Sequence, residues 1–447
     1  MEKQYDIIVL GAGNAGMAVA GAAHAAGQSV AIVENSTFGG TCPNRGCTPK
    51  KVLVEAARSL ETIRHADVHH ISTSDVRLDW PALIQRKQGL IDFIPDAMER
   101  AARNRADVYT GQGRFHTANS ILVGEGLLQA DKIVVATGSR PRSLTFPGAE
   151  LLITSDELLE LPSVPNTIVM VGGGVIALEF GHILARAGAE VIILEAMPTL
   201  LPRMDQEAVL ELMLATQNLG IRVETGVEVI EVSRRDQLEV VFRAGGQQLT
   251  VSADLVVNGA GRVPNTRDLH LSAGNVAFEG DRIVVDSQHR SVSNPHVFVV
   301  GDALAETPQL SPVATREGAD LAASIVNDLP LEATAEVIPQ AIYTLPALAS
   351  VGLTQPEAEL KYRNLSVHVT DMSGWLSAKI HGEETAWAKI LIDADTDQIV
   401  GAHLVGHHGE ELIHLFTLAI NHQISATDLK RTTFAFPTFS SDIKNLW

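Results

Sequence analysis

The chain's two cysteines, Cys42 and Cys47, lie five residues apart in the stretch GGTCPNRGCTPKK. Thiols so placed can do redox chemistry if the backbone lets them meet. Along a regular helix five residues rise about 7.5 Å, beyond the roughly 6.8 Å upper limit between disulfide Cα atoms. A distorted turn is therefore required, and Pro43 and Gly46 suit one. The next run, VLVEAARSLETI, has a helical pattern. It puts Cys47 near a helix N-terminus, where the dipole and orphan N–H groups favour a thiolate. Two inert thiols would not explain the Gly-Gly-Thr…Pro-Lys-Lys frame, and zinc needs ligands that no second cysteine pair supplies.

The residues ahead of the pair sharpen the reading. YDIIVLGAGNAG is a short buried strand leading into Gly11-x-Gly13-x-x-Gly16, then the small-residue helix MAVAGAAHAAG and a second strand ending at Glu34. The glycines serve a tight turn, close approach of a pyrophosphate and close helix–strand packing, and the acid binds ribose hydroxyls. The thiols thus lie where a bound dinucleotide belongs, and the pair reads as a redox-active disulfide fed by a flavin. The unit recurs in NTIVMVGGGVIALEFGHILARAGAEVIILE, where Gly172, Gly174 and Ala177 take the glycine positions and Glu195 ends the next strand. Gly11 to Glu34 and Gly172 to Glu195 both span 23 residues, so the chain carries two dinucleotide sites. An acid at Glu195 favours NADH, because a 2′-phosphate would be repelled there, although Arg203 in the next loop is within reach of it.

At 447 residues the chain is too long for one core. With 34 basic and 53 acidic residues its net charge is −19, which argues against nucleic acid or an anionic membrane as partner. The N-terminal apolar run is too short for a signal peptide and no stretch reaches transmembrane length. A cytoplasmic protein with a reducible disulfide is expected.

Taken together, GAGNAG, the cysteine loop, VVATGSRP at 134–141, VGGGVIALEFG, GAGRVPN at 259–265 and VFVVGDA at 297–303 resemble, in order and over nearly the whole length, the flavin-dependent pyridine nucleotide–disulfide oxidoreductases. These include glutathione reductase, lipoamide dehydrogenase and mercuric reductase. The resemblance implies an α/β fold with two Rossmann-like dinucleotide-binding domains and a C-terminal α+β dimerisation domain. Residues 1–150 and 265–334 would form the FAD domain, 151–264 the NAD(P) domain and 335–447 the dimerisation domain of a homodimer, built from alternating strands such as AWAKILIDADTDQIVGAHLVG and a helix from about 408 to 421. It further implies FAD on Gly11, Gly13, Gly16, Glu34, Thr41, Gly113, Thr137, Gly138 and Asp302, with Ser311 opening a helix aimed at the flavin ring, and Gly261 as a further cofactor-binding residue. NAD(P)H would lie on Gly172, Gly174, Ile176 and Glu195. Cys47 would face the flavin, Cys42 would attack substrate, Lys50 would sit by the flavin's reactive nitrogen, and Glu179 would pair with Lys50 across the nicotinamide pocket.

The C-terminus departs from the family. Where the disulfide reductases have His-Pro-Thr-x-x-Glu, with the histidine as acid–base, this chain reads Phe436-Pro437-Thr438-Phe439-Ser440-Ser441, and Asp442 is one place out of register. Arginines that read glutathione are missing around Gly21 and Ala319, so glutathione disulfide is a poor substrate. The extra cysteine pair of mercuric reductase is absent as well. The expected activity is reduction, by NAD(P)H, of another disulfide or thiol-reactive acceptor. A quinone or dye reductase working directly from flavin, or a non-catalytic redox sensor, are the alternatives. His403, His407, His408, His414 and His422 cluster late but are expected in the dimerisation region rather than around a metal. His69 and His70, and the basic run ERAARNRADV at 99–108, are expected in solvent.

Overall fold

The computed structural model describes residues 2–305, 307–332 and 336–447, which fall into two compact units. The first gathers Met1–Val52, Ile84–Ser143 and Gly261–Ala333. Its sheet runs, in spatial order, Asp107–Thr110, Val30–Glu34, Glu2–Leu10, Gly126–Val135, Ser120–Val123 and Gly113–Thr117, with Val297–Val299 also pairing with Gly126–Val135. The first four strands and Val297–Val299 are parallel, and the last two turn back as an antiparallel hairpin. Along Glu2–Leu10 the side chains alternate between two cores. Ile7 and Val9 meet the helices Asn14–Ala25 and Ser311–Asn327, while Ile8 and Leu10 meet Phe115, Ile121, Leu269 and Leu271. A parallel sheet covered on both faces explains why Val30–Glu34 is buried at every position.

The second unit gathers Leu53–Leu83, Leu144–Ala260 and Thr334–Trp447. It holds a four-stranded parallel sheet in the order Arg222–Thr225, Glu190–Glu195, Thr167–Val171, Leu255–Asn258, with the helix Val175–Arg186 between its first two strands in sequence. A three-stranded antiparallel meander spans Glu228–Ala253. The C-terminal stretch makes a five-stranded antiparallel sheet in the order Gln340–Ile342, Leu348–Gly352, Gln398–Val405, Trp387–Asp393, Leu365–Asp371.

The alternation read in that last sheet does not leave one face wet: Trp387–Asp393 is buried at all seven positions. Ala388, Ile390, Ala402 and Leu404 pack with Leu412, Ile413 and Phe416 of the helix Gly409–Asn421, and the helix Gln206–Asn218 packs on the same strands too. Lys389, in mid-strand, is 2% exposed and meets both oxygens of Asp205 at 3.1 Å and Glu207 at 3.2 Å. A buried ammonium is tolerated because it is paired. Among the described residues no helix is long and apolar enough to cross a membrane.

Candidate active site

Gly40 has φ +70 and lies against Gly13: a Cβ on Gly40 would come within 2.8 Å of the Gly13 Cα. This close approach ties the cysteine segment to the first glycine loop. The short helix Thr41–Arg45 carries Cys42, Gly46 breaks it, and Cys47 is the first residue of the helix Cys47–Arg64. The expected interruption between the thiols is therefore present, and Cys47 stands at a helix start.

Both cysteines are unbonded thiols here, Cys42 half-buried and Cys47 exposed. Their acidities separate. A hydrogen bond from the Cys42 thiol lowers Cys47 to about 6, helped by the Ser311 hydroxyl at 3.8 Å and the Lys50 charge. The same hydrogen bond, with burial, pushes Cys42 far above the ordinary thiol range. The pair's setting thus favours the charge on Cys47 and the proton on Cys42. Ser311 is the first residue of the helix Ser311–Asn327, so that helix's N-terminal dipole points the same way.

Around the first loop Gly11 has φ +105, and a Cβ on Gly16 would lie 1.9 Å from the Gly11 carbonyl oxygen. Glu34 accepts the N–H of Ala12 at 2.7 Å and of Ser36 at 2.8 Å. Beneath the loop Gly113 is buried, with room limited by Leu10 and Val33 to 3.1 Å. The stretches VVATGSRP, GAGRVPN and VFVVGDA converge beside it. Ser139–Pro141 pairs antiparallel with Arg262–Pro264, Asn265 N–H donates to Gly138 at 2.9 Å, and the Ser139 hydroxyl donates to Asp302 at 2.9 Å. Gly261 has φ +91 and accepts the Arg142 N–H at 3.0 Å. Burial raises Asp302, opposed by Ser139 and Arg262. The buried Thr137 hydroxyl oxygen has no partner among the described residues. An orphaned hydroxyl beside glycines that leave room for a phosphate and a ribose-binding acid fits a dinucleotide such as FAD.

In the second unit the same construction returns. Gly172 has φ +103, Gly174 caps the helix Val175–Arg186, and Glu195 accepts Gly173 N–H at 2.5 Å and Met197 N–H at 2.7 Å. Ile176 is half-buried in the helix's first turn. Glu179 is 3% exposed and accepts the Tyr343 N–H at 2.8 Å. One turn on, buried His182 donates through Nε2 to Thr216, whose own hydroxyl is donated to Leu212, while Arg186 and the Leu345 N–H donate to Nδ1. Burial, then the Arg186 charge, lowers His182 to about 3. Arg186 also makes a two-pronged bond to Glu61. The spacing 179, 182, 186 marks one helix face, a signal that reading the glycine motif alone passes over.

At the C-terminus Phe436 is 76% exposed. Asp442 does not stand in for the missing acid–base beside it. It turns to His407 at 3.0 Å and to Ser377, partners far apart in sequence that no spacing signals. His403 is buried between Ser350 and Leu353, and His69 and His70 are exposed. No group of three or more metal-ligating side chains forms among the described residues.

The fold carries two glycine loops built alike and one cysteine pair packed against the first of them. Residues 5–318 match the family model described as pyridine nucleotide-disulphide oxidoreductase, and 338–446 match the dimerisation domain of the same family. The chain belongs to that family, whose members are NAD(P)H-dependent flavin disulfide oxidoreductases using FAD. It is 31% identical to a dihydrolipoyl dehydrogenase of Bacillus subtilis over 99% of this chain and 97% of that protein. It is likewise 31% identical to the glutathione reductase of Burkholderia cepacia over 100% and 99%, and 27% identical to the mercuric reductase of Lysinibacillus sphaericus over 99% and 82%. Its fold matches the HOCl-induced flavoprotein disulfide reductase RclA from Escherichia coli with a TM-score of 0.86, covering 99% of each chain at 24% identity.

Proposed function

We propose that this enzyme, as a homodimer, reduces a disulfide or another thiol-reactive acceptor other than glutathione disulfide through Cys42 and Cys47, with NADH preferred as donor. The observation that carries the reading is the placement of the two thiols on either side of the break at Gly46, with Gly40 packed on Gly13 of the first glycine loop, Cys47 opening a helix and its sulfur 3.8 Å from the Ser311 hydroxyl. Residues 1–150 and 265–334 form its FAD domain, 151–264 its NAD(P) domain and 335–447 its dimerisation domain. The reunion of 1–52, 84–143 and 261–333 in one compact unit supports the return of the chain to the first domain.

FAD would be held by Gly11, Gly13, Gly16, Glu34, Thr41, Gly113, Thr137, Gly138, Asp302 and Ser311, with Gly261 a further cofactor-binding residue, and when bound would supply the passage of two electrons from NAD(P)H to the thiol pair. Gly172, Gly174, Ile176 and Glu195 hold the nicotinamide nucleotide, and Lys50 and Glu179 serve the reductive half-reaction. Cys42 passes its proton to Cys47 along their hydrogen bond, and the Cys42 thiolate attacks one sulfur of RSSR, forming a mixed disulfide and releasing RS⁻, which takes that proton from Cys47. Cys47 Sγ then attacks Cys42 Sγ, closing Cys42–Cys47 and releasing the second RS⁻, which is protonated by solvent. The sum is NAD(P)H + H⁺ + RSSR giving NAD(P)⁺ + 2 RSH. Phe436 has no proton to give, so acceptors whose leaving groups are stable anions are favoured.

The test compares NADH-driven reduction of 5,5′-dithiobis(2-nitrobenzoate), whose leaving thiolate is stable, with that of hydroxyethyl disulfide. The aromatic disulfide should turn over faster by about a hundredfold or more, and Cys42→Ser should abolish both reactions while leaving bleaching of the flavin by NADH intact. Undiminished turnover in Cys42→Ser would overturn the reading in favour of a dye or quinone reductase.

A further inference from the structure

Between the two thiols stands Asn44, on the short helix Thr41–Arg45 that carries Cys42. Its amide nitrogen Nδ2 donates to the Phe38 carbonyl and to the Gly40 carbonyl, both at 2.9 Å. Those partners fix which way the carboxamide points, because its oxygen turned there would face two carbonyl oxygens lone pair to lone pair.

The two carbonyls belong to the turn that brings the chain back to the first glycine loop. Gly39 has φ +95 and Gly40 φ +70, and the Gly39 N–H donates to the Ala12 carbonyl at 2.9 Å. One side-chain amide thus ties the thiol-bearing turn to the turn before it, and through that turn to Ala12 and Gly13. On its far side the thiol turn folds back on itself. A Cβ on Gly46 would come within 3.0 Å of the Thr41 carbonyl oxygen and 3.2 Å of the Cys42 Cα, so the chain passes close to Cys42 just before Cys47. Cys42 is held from two directions, by the Asn44 bond to Gly40 and by the Gly46 backbone.

These bonds bring folding little net gain. The Asn44 Oδ1 is buried and has no partner among the described residues. An unpaired buried acceptor costs about as much as one or two ordinary hydrogen bonds contribute, so the oxygen roughly offsets what the nitrogen gains. A leucine of similar volume would avoid that cost. What leucine cannot supply is two N–H groups on one atom, aimed at the Phe38 and Gly40 carbonyls.

We propose that Asn44 is a positioning residue for the thiol pair: by pinning the turn around Cys42 it holds the two sulfurs ready to close the Cys42–Cys47 disulfide. The role rests on the proposed function, in which that disulfide opens and closes in turnover. Closing joins Cys42 Sγ to Cys47 Sγ with loss of two electrons and two protons, which the acceptor takes up. Thiols already held together close more readily, because little freedom remains to be lost. Without the amide the turn is freer in the dithiol than in the disulfide, and the dithiol gains.

The experiment equilibrates the FAD-loaded enzyme, without oxygen, with mixtures of dithiothreitol and its cyclic disulfide, and counts closed Cys42–Cys47 pairs by alkylation and mass spectrometry. In this exchange dithiothreitol gives two electrons and two protons to the protein disulfide and is itself closed into the ring. The variants are Asn44→Ala and Asn44→Leu. Both should keep their flavin, with a Tm within about 3 °C of wild type. Both should shift the equilibrium toward the dithiol by about tenfold, less than the hundredfold that an ångström of misplacement can cost. For this two-electron couple tenfold is about 30 mV. An unshifted equilibrium in a variant that keeps its flavin would overturn the positioning role. Loss of flavin with a large fall in Tm in both variants would overturn it too, by showing that Asn44 holds the fold rather than the sulfurs. Wild type that closes no Cys42–Cys47 disulfide at any ratio would overturn the proposed function, and the role of Asn44 with it. A wild-type disulfide that closes, with no shift in the variants, would leave that function standing and remove Asn44 alone.

Discussion

The two glycine loops are built alike up to their third small residue and differ there. Gly11 and Gly172 share nearly the same φ, +105 and +103, and Glu34 and Glu195 each accept the N–H of the next loop residue, Ala12 and Gly173. In the first loop the third position is Gly16, where any Cβ would collide with the Gly11 carbonyl; in the second it is Ala177, fully buried without conflict. The segments beyond the two acids differ as well. After Glu34 comes the Gly40 approach to Gly13 and then the thiols, whereas after Glu195 comes a turn in which Met197 is half exposed. The cysteine segment packs against the first loop, whereas the segment after Glu195 turns outward at Met197.

The largest effect should come from breaking the tighter loop. Gly16→Ala forces the backbone apart at a contact of 1.9 Å, and should cost more than about 4 kcal/mol, as strain at a close backbone contact does. The purified variant should show a lower Tm and retain little flavin; full flavin content would contradict this account of the loop. Next, Glu195→Arg removes the acid that repels a 2′-phosphate and should move the NADH/NADPH ratio of kcat/KM toward NADPH by about tenfold or more, the scale of one charge-assisted contact. An unchanged ratio would place cofactor choice elsewhere.

A smaller effect concerns the thiols themselves. Because the folded-state acidity of Cys47 is lowered from 9.0 to about 6, its thiolate is present above that value and is lost as pH falls through it. Mass-spectrometric alkylation rates of the Cys47 peptide should therefore have their midpoint near 6. Cys42→Ala removes the largest cause and should move the midpoint upward; an unmoved midpoint would show that Ser311 and Lys50 hold the thiolate alone. The smallest effect belongs to the looser loop: Ala177→Gly should cost only about 1 kcal/mol, the ordinary penalty for glycine in a helix, with nucleotide use unchanged.

The sequence made the loops and the thiols legible because their chemistry is local. Gly11 to Glu34 and Gly172 to Glu195 each carry turn, helix start and acid in one short run, and Gly46 between the cysteines marks the break that the structure shows. The features that escaped reading depend on partners distant in sequence. Lys389 looks like the solvent side of an alternating strand but is buried on Asp205, 184 residues away. Asp442 looks like a displaced remnant of the family's C-terminal motif, yet its hydrogen bond runs to His407, 35 residues back. Composition and periodicity say nothing of such pairs, since the fold alone brings them together.

The central claim, that Cys42 and Cys47 lie on the electron path, is tested most directly by anaerobic titration of the FAD-loaded enzyme with NADH while free thiols are counted. The account predicts uptake of about two hydride equivalents per subunit with two new thiols, one equivalent for the flavin and one for the disulfide. Uptake of about one equivalent, with the flavin bleached and no thiol released, would contradict it.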